Sequence, residues 1–532
     1  MVTKFKEQNL KKENMKKATL KTIFLQIFIC FVSLTAFSQP LSIQWQNAFG
    51  GNLYDYAKEV IPTSDGGFIS VGYSESEDGN VSFNHGGGDC WIIKSSAAGF
   101  VQWEKTYGGS NFDYGYSIQQ TADGGYIVCG FTQSIDGDIT SNHGDGDAWV
   151  IKIDAMGSIE WQKTFGGSFN DNAQSVQQTS DGGYIICGYT ESLNGDVTGN
   201  HGGGDCWVIK TDGLGVIQWT KALGGSSYDF AQDIKQTTDG GYIVCGGSTS
   251  NNGDITEQYG NGDYWIAKLD YSGALIWENS FGGTNYEVAQ YIELTTDGGY
   301  IIAGYSMSND GEVTGQHGNG DNWIVKCDIN GTLQWQKTLG SSGNDYAYCI
   351  KQLSTGNYIL TGYSEMNDGD VTGNHGNYDC WVVQLDGAGI ILQQKSFGGT
   401  GVDIGYSIKE ASGGTLVIAG YSESNDGDLS GNHGGGDSWI FRMKLSSVGI
   451  NETPLSPSIT VAPTLSTGNF NFSGIENEST LEVFDVAGKL VFQTKINSFS
   501  YNLDLSNNAK GVYIYKVNSK SELLGTGKII LN

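Results

Sequence analysis

Carboxylates and histidines recur along this chain every 58 residues, and this is the first pattern that could carry chemistry. Carboxylate oxygens are the ligands that Ca²⁺ prefers, whereas zinc needs several nitrogen or sulfur ligands that converge. The three acidic series are Asp55, Asp113, Asp171, Asp229, Glu287, Asp345 and Asp403; Asn80, Asp138, Asp196, Asp254, Glu312, Asp370 and Asp428; and Asp89, Asp147, Asp205, Asp263, Asp321, Asp379 and Asp437.

The second and third series lie in one Gly- and Asp-rich loop of each repeat, which favours weak calcium binding at several sites. These loops lack the EF-hand spacing, and aspartate followed by glycine is also ordinary turn chemistry. Turn formation is the first interpretation of these carboxylates, and weakly bound calcium is the candidate cofactor. The candidate ligands are Asp138, Asp147, Asp196, Asp205, Asp370, Asp379, Asp428 and Asp437.

All six histidines occupy one position of the repeat, where the fourth copy has Tyr259. Residues one repeat apart cannot share a single ion, so we expect each histidine to form a structural hydrogen bond to a neighbouring loop. A series of lysines at strand ends is expected to pair with acids. The two series are His85, His143, His201, His317, His375 and His433, and Lys94, Lys152, Lys210, Lys268 and Lys326.

The sequence contains no nucleophile elbow, no H-E-x-x-H and no P-loop. Acid–base catalysis needs carboxylates in different environments, whereas each carboxylate here has near-identical copies. This favours binding over catalysis, and a carbohydrate-active or other hydrolytic enzyme is the alternative. A unique site is expected where the fourth and sixth copies deviate, at 246–248, 258–259, 356–357 and 377–378.

Two series with the same 58-residue spacing contain all 13 tryptophans, which we expect to pack between repeats. Each repeat has the pattern of four short strands with Asp-Gly turns, and several strands are apolar on both faces. Four-stranded sheets stacked around an axis cover both faces. The sequence thus predicts an all-β fold with a seven-bladed β-propeller over 39–450. A right-handed β-helix, whose coils are usually shorter, is the alternative.

The repeat phase predicts how the ring closes. The seventh copy lacks a fourth strand, whereas the chain has an isolated fourth strand at 41–49 that contains Trp45. We expect this N-terminal strand to complete the last blade, because this leaves no exposed sheet edge.

Residues 1–38 have the pattern of a secretory signal peptide. Seven lysines precede an apolar stretch at 23–34, and Ala36 and Ser38 supply the small residues of a cleavage site before Gln39. A transmembrane anchor is the alternative, but the stretch is short for a bilayer. Translation starts at Met1 or at Met15. No later stretch is apolar enough to predict a transmembrane segment.

Charge and cysteine spacing exclude further classes. The 532 residues carry 58 acidic against 29 basic side chains, a net charge of −29, which excludes nucleic acid as a partner. Cys129, Cys187 and Cys245 are 58 residues apart, so they occupy equivalent positions that lie too far apart for a disulfide. We expect the cysteines to be small buried hydrophobes.

Prolines 454, 457 and 463 mark the end of the repeats and a linker at 451–460. Residues 461–532 then show alternating strands that predict a small β-sandwich. They contain V-x-D-x-x-G-K at 483–489, L-D-L-S at 503–506, G-V-Y-x-x-K-V at 511–517 and a Lys-Ile-Ile-Leu end. This segment resembles the C-terminal sorting domain of type IX (Por) secretion cargo. It departs from the usual Asn-Pro near the domain start, where this chain has Ala462-Pro463-Thr464.

The resemblance implies contact with the type IX secretion machinery and export across the outer membrane. The domain is then removed or used for attachment, so the protein is expected to be secreted or attached to the outer-membrane surface. The repeats resemble the D-G-G-Y-I-x-x-G propeller repeats of such exported bacterial proteins, a likeness that names no activity. We therefore predict a binding or adhesion scaffold for a glycan, protein or matrix.

Overall fold

The computed structural model describes residues 41–445, 459–475, 478–485, 488–519 and 522–532. They fall into two compact units, one over 41–445 and the other from 459 onward. Both units are built from β-strands joined by turns and loops. The predicted signal peptide at 1–38 and most of the predicted linker at 451–460 lie outside the described residues.

Residues 41–445 form seven four-stranded antiparallel sheets, which we number as blades 1 to 7. Six blades use four consecutive strands, and blade 7 combines the last three strands with the first. Blade 1 has β2 (Asp55–Pro62), β3 (Phe68–Ser74), β4 (Asp89–Ser95) and β5 (Val101–Tyr107); blade 2 has β6 (Asp113–Gln120), β7 (Tyr126–Thr132), β8 (Asp147–Ile153) and β9 (Ile159–Phe165); blade 3 has β10 (Asp171–Gln178), β11 (Tyr184–Thr190), β12 (Asp205–Thr211) and β13 (Ile217–Leu223).

The remaining blades repeat this arrangement. Blade 4 has β14 (Asp229–Gln236), β15 (Tyr242–Ser248), β16 (Asp263–Leu269) and β17 (Leu275–Phe281); blade 5 has β18 (Glu287–Leu294), β19 (Tyr300–Ser306), β20 (Asp321–Cys327) and β21 (Leu333–Leu339); blade 6 has β22 (Asp345–Gln352), β23 (Tyr358–Ser364), β24 (Asp379–Leu385) and β25 (Ile391–Phe397); blade 7 has β26 (Asp403–Ala411), β27 (Thr415–Ser422), β28 (Asp437–Lys444) and β1 (Ser42–Phe49).

The first strand of each blade carries a bulge that the alternation pattern does not reveal. In blade 3 the register between β10 and β11 shifts between Ala173 and Ser175. The facing residue, Gly188, lies so close to β10 that a Cβ there would be 2.0 Å from the Asn172 carbonyl oxygen. This close approach explains the glycine found at the same position of every repeat.

The hydrophobic core lies between blades. One cluster joins Ile127 and Cys129 of blade 2 to Val176, Tyr184 and Trp207 of blade 3. The tryptophans of the third strands are almost completely buried, as expected for side chains that pack one blade on the next. The described cysteines are all buried and free, in agreement with their predicted role as small hydrophobes.

The ring closes as the repeat phase predicts. β1 pairs antiparallel with β28, with Ala48 opposite Trp439 and Trp45 opposite Arg442. Phe49 and Trp45 then pack with residues of blades 1 and 7 in one cluster. The β-propeller prediction is confirmed, and the N-terminal strand supplies the outer strand of the last blade.

The strand directions divide the loops between two faces. The loops from second to third strands lie beside the connections between blades; for example, the Asp138 amide donates to the Gly108 carbonyl at 2.8 Å. We call this side the loop face. The short turns between first and second strands and between third and fourth strands form the opposite side, which we call the hairpin face.

The C-terminal unit contains two sheets around one core, as expected for a small β-sandwich. Phe470, Phe472, Leu481, Val483 and Val517 are completely buried between them. The three-stranded sheet has β29 (Thr460–Ala462), β31 (Asn469–Ser473) and β34 (Ser500–Asp504); the five-stranded sheet has β30 (Leu465–Ser466), β36 (Glu522–Leu531), β35 (Gly511–Ser519), β32 (Ser479–Asp485) and β33 (Leu490–Ile496).

Candidate functional site

Each junction between two blades brings two buried carboxylates together on the loop face. At the first junction, Asp89 starts the third strand of blade 1 and Asp113 starts the first strand of blade 2. Both are fully buried. A Cβ on Gly108 would lie 2.4 Å from Asp89 Oδ1 and 2.7 Å from Asp113 Oδ2, so both carboxylates crowd this glycine.

The two carboxylates of a junction differ in their hydrogen bonds. Asp113 accepts from the Gly109 amide at 2.7 Å, from Ser134 Oγ at 2.8 Å and from the Thr132 hydroxyl. Asp89 Oδ1 has no hydrogen-bond partner among the described residues. The same orphaned oxygen occurs at all seven equivalent positions, on Asp89, Asp147, Asp205, Asp263, Asp321, Asp379 and Asp437.

The predicted calcium ligands are distributed differently from the sequence interpretation, which placed two carboxylates of one loop on one ion. Asp138 accepts from the Gly108 amide at 3.2 Å and lies 3.8 Å from His85 Nε2, beside the junction of blades 1 and 2. Asp147 lies at the next junction, because it crowds Gly166 together with Asp171. The strand geometry separates carboxylates of one loop and joins those of neighbouring blades.

The other six candidate ligands follow the same arrangement. Asp196 accepts from the Gly166 amide, Asp370 from the Gly340 amide, and the Asp428 amide donates to the Gly398 carbonyl. Asp205, Asp379 and Asp437 carry orphaned oxygens at the junctions that follow their own blades. Among the described residues, no group of three or more His, Cys, Asp or Glu side chains is arranged to hold a metal ion.

Burial raises the pKa of the seven aspartates with orphaned oxygens and so favours their protonated form. Burial raises the pKa of Asp89 to about 6, and the Asp113 charge adds to this effect although the His85 hydrogen bonds oppose it. At the junction of blades 4 and 5, where Tyr259 replaces histidine, burial and the Glu287 charge raise the pKa of Asp263 to about 7.

The histidines form structural hydrogen bonds within their own loops rather than to a neighbouring loop. His201 Nδ1 lies 2.7 Å from Asp205 Oδ2, and the His201 amide also donates to that oxygen at 3.0 Å. The same contact joins each of the other five histidines to the aspartate four residues later. Each ring therefore holds one carboxylate oxygen in place.

The lysine series pairs with acids, as predicted. Lys210 Nζ is 3.0 Å from Asp181 Oδ2, and Lys94 Nζ is 2.8 Å from Asp65 Oδ2. Three further lysines, Lys152, Lys268 and Lys326, form the same contact. The lysine stems are buried under the turn between first and second strands, where their ammonium groups hold the turn aspartate.

Large apolar side chains are exposed on the loop face in five successive connections between blades. We call this set the apolar crescent; the exposed fractions are between 37% and 52% for Leu53, Phe112, Phe169, Tyr228 and Tyr286. The corresponding connections into blades 6 and 7 carry Gly343-Asn344 and Gly401-Val402 instead. On the loop face the carboxylates therefore recur at every junction, whereas the connections between blades expose large apolar side chains at five of the seven junctions. The loops between second and third strands expose further apolar side chains on this face, such as Ile135, Leu193 and Met366.

A cavity of about 350 Å³ occupies the centre of the ring and is lined by residues of the first strands. Its lining is where the repeats diverge most. One position of the repeat, that of Lys58, lines the cavity in all seven blades. We call these residues the channel ring; they are Lys58, Tyr116, Gln174, Gln232, Gln290, Tyr348 and Tyr406. Deeper positions carry Glu59, Asp233, Lys235, Glu293, Lys351 and Lys409.

The deeper charged residues connect the blades to one another. Lys409 lies 2.9 Å from Glu59, and Glu59 also accepts from the Ile118 amide at 3.0 Å, which joins blades 7, 1 and 2. Asp233 accepts from Ser175 Oγ at 2.7 Å and from the Ile292 amide at 3.2 Å. These contacts join neighbouring blades across the middle of the channel.

The channel is not among the sites expected from the sequence, because those lie in loops where the fourth and sixth copies deviate. None of the deviating segments at 246–248, 258–259, 356–357 and 377–378 lines the cavity. The first strands carry a pattern that could have indicated the channel. The positions of Asp55, Ala57 and Val60 vary little among the seven copies. The positions of Lys58, Glu59 and Ile61 differ from copy to copy. Conserved positions face the neighbouring blades, and variable ones face the channel.

Comparison with known proteins gives distant similarity for the propeller. The regulatory protein FlaEY of Caulobacter vibrioides is 23% identical over 423 residues, 69% of this chain, and the chain spans 43% of that relative. The extracellular domain of BT4673 from B. thetaiotaomicron matches with a TM-score of 0.40 and 10% identity, over 92% of this chain and 60% of that one. Puromycin hydrolase matches with a TM-score of 0.38 and 10% identity, over 90% and 62%.

The C-terminal unit gives a specific match. The family model of the secretion system C-terminal sorting domain covers residues 461–532. No helix in the described part of the chain is long and apolar enough to cross a membrane. Residues 461–532 are thus a secretion system C-terminal sorting domain, and the β-propeller that carries it is secreted or attached to the outer-membrane surface.

Proposed function

We propose that this protein is an exported binding scaffold whose loop face contacts an extracellular partner, a protein, glycan or matrix. The observation that carries the proposal is the apolar crescent, in which five successive connections expose Leu53, Phe112, Phe169, Tyr228 or Tyr286. Large exposed apolar patches on soluble proteins mark interaction surfaces. In this proposal residues 1–38 direct export from the cytoplasm, 451–460 are a linker, and the tail delivers the propeller through the type IX machinery.

The limited extent of the crescent supports a specific interaction rather than non-specific adhesion. On the hairpin face, exposed apolar side chains such as Phe100, Met156 and Leu214 recur at the strand turns of successive blades. The crescent is limited to the connections that enter blades 1 to 5. A partner that covers the crescent would contact the blades unequally, which gives a nearly symmetric ring one defined binding orientation.

A hydrolytic enzyme is the second candidate, because the channel lining differs from copy to copy of the repeat. The carboxylates in the channel argue for the binding scaffold. Glu59 is paired with Lys409, Asp233 with Lys235 and Glu293 with Lys351, at 2.9, 2.5 and 2.7 Å. Burial alone would raise the pKa of Glu59, but Lys409 and the Ile118 amide bring it below its usual value, so this carboxylate is not a proton donor.

The test is to probe glycan and extracellular-protein arrays with the full-length exported protein and to assay it against glycoside, ester and peptide substrates. We expect saturable binding to a restricted set of array members and no turnover. Turnover that is lost on changing Glu59, Asp233 or Glu293 would instead establish the enzyme.

A further inference from the structure

The channel ring differs from the deeper part of the channel in having hydrogen-bonding groups without partners. Lys235, Lys351 and Lys409 each have a carboxylate within 3 Å. Within the described part of the chain Lys58 has no ion-pair or hydrogen-bond partner, and its ammonium lies over the rings of Tyr348 and Tyr406, 5.0 and 4.7 Å from their centroids. An ammonium in a cavity without an acceptor is a site for an anion.

The neutral members of the ring are also available. Gln290 donates to the Tyr346 hydroxyl at 2.7 Å, whereas within the described ranges the amides of Gln174 and Gln232 form no hydrogen bond to the protein. The ring thus presents one cation, two amides without partners among the described residues and three phenols to the cavity. Amides and phenols recognise hydroxyl groups, and the phenol faces accept the C–H side of a sugar ring.

The charge of the cavity sets the charge of its ligand. Its lining has four lysines, Lys58, Lys235, Lys351 and Lys409, and three acids, Glu59, Asp233 and Glu293, which leaves one positive charge. The whole chain has a net charge of −29, so this is a local reversal. A single unpaired cation matches one carboxylate, and the volume of about 350 Å³ is within the usual range for small-molecule sites.

We propose that the channel ring binds a small hydroxylated monocarboxylate of the sugar-acid class, with the carboxylate on Lys58 and the hydroxyl groups on Gln174, Gln232 and the phenols. This site is separate from the apolar crescent, so the proposal does not depend on the binding partner proposed above. A monosaccharide acid satisfies the ammonium and the amides at once, which neither a neutral sugar nor a simple carboxylate can do.

The site also has an expected pH dependence. Burial lowers the pKa of Lys58 to about 8, with the Glu59 charge opposing this effect. The titratable groups around Lys58 are the phenols of Tyr406 in blade 7, Tyr348 in blade 6 and Tyr116 in blade 2. On its own strand lies the Glu59 carboxylate, which Lys409 already neutralises. Ligand affinity should therefore fall as pH rises through 8, because the ammonium loses its proton.

The experiment is isothermal titration calorimetry of the full-length exported protein with D-glucuronate, D-glucose and acetate at pH 7 and pH 9. We expect glucuronate to bind at least about ten-fold more tightly than either of the other probes, since a hydrogen bond to a charged group contributes this much or more. Glucuronate affinity should be weaker at pH 9 than at pH 7.

Two variants and one control identify the site. Lys58→Met should reduce glucuronate affinity to that of glucose, and Gln174→Glu should reduce it by repulsion; neither residue takes part in the ion pairs between blades. Lys221→Met, which removes the same charge from the exposed outer strand β13, should leave affinity unchanged. Absence of glucuronate binding at millimolar concentration, or equal affinity in the folded Lys58→Met variant, would overturn the proposal.

Discussion

Asp147 Oδ1 and Asp171 Oδ2 belong to adjacent blades, yet both lie where a Cβ on Gly166 would be 2.6 Å from each oxygen. Asp171 is held by donors from Gly167, Ser192 and Thr190, whereas Asp147 Oδ1 has no partner in the described part of the chain. A proton on Asp147 would remove one of the two negative charges buried at this junction.

The first prediction concerns pH. Burial raises the pKa of Asp147 to about 6, and the Asp171 charge adds to this effect. An unfolded aspartate titrates near about 3.9, so between pH 4 and pH 6 the folded chain holds protons that the unfolded chain has released. The free energy of unfolding should therefore fall as pH rises from 4 to 7 and level off above that. Chemical denaturation across this range measures it.

Asp147→Asn provides the specific test. Its amide oxygen can accept from His143, and the neutral side chain removes the buried charge near Asp171 at every pH. We expect the variant to be more stable than wild type at pH 7.5, by on the order of 1 kcal/mol, and less dependent on pH. Asp145→Asn, an exposed neighbour in the same loop, is the matched control. A variant less stable than wild type at pH 7.5 would contradict the paired-carboxyl account.

Much of this fold could be predicted from the sequence, because the same pattern of strands and turns occurs seven times. In the third repeat, the apolar run between a Gly-Gly turn and a polar loop predicts a strand at Tyr184–Thr190, and the second strand of blade 3 has the same bounds. The alternation before that turn predicts a first strand at Ala173–Thr179, whereas the strand spans Asp171–Gln178, because the bulge after Ala173 interrupts the alternation.

The site was harder to predict because it depends on contacts between copies. Asp138 and Asp147 are nine positions apart in one loop, so sequence spacing pairs them, but the ring places them at different junctions. To predict the channel ring, one must know which strand of each blade is innermost. This depends on how the blades pack and not on the periodicity of the sequence.

The second prediction concerns calcium, which remains a prediction for the eight aspartates named from the sequence. Millimolar calcium should raise the melting temperature more than magnesium does, because magnesium releases its water shell reluctantly. Asp196→Asn and Asp205→Asn act at different junctions, so their effects on the calcium-induced shift should add. If calorimetry shows no heat with calcium and chelator treatment leaves the melting temperature unchanged, these carboxylates form turns and bind protons but do not bind calcium.

The third prediction concerns ring closure. Deletion of residues 41–49 removes β1 from blade 7 and exposes β28, whose Trp439 is fully buried in the intact chain. We expect a loss of several kcal/mol in the free energy of unfolding, since the deletion opens a core. Deletion of 461–532, which lies outside the seven blades, is the control. A truncated chain that melts like the intact one would show that closure through β1 is not needed.

The fourth prediction concerns export. Removal of residues 461–532 deletes the sorting domain and leaves the propeller sheets intact. The shortened protein should fold but remain in the periplasm, where protease added to intact cells cannot reach it. Delivery to the surface at the full-length level would refute the role of the tail.

The most direct test of the binding scaffold compares its two faces. One triple variant, Phe112→Ser, Phe169→Ser and Tyr228→Ser, removes the middle of the apolar crescent. The matched triple variant, Phe100→Ser, Met156→Ser and Leu214→Ser, removes more exposed apolar side chains from the hairpin face. Array binding measured with both full-length variants should be lost for the first triple and retained for the second. Binding that survives the loop-face changes, or is lost only with the hairpin-face changes, would contradict the account.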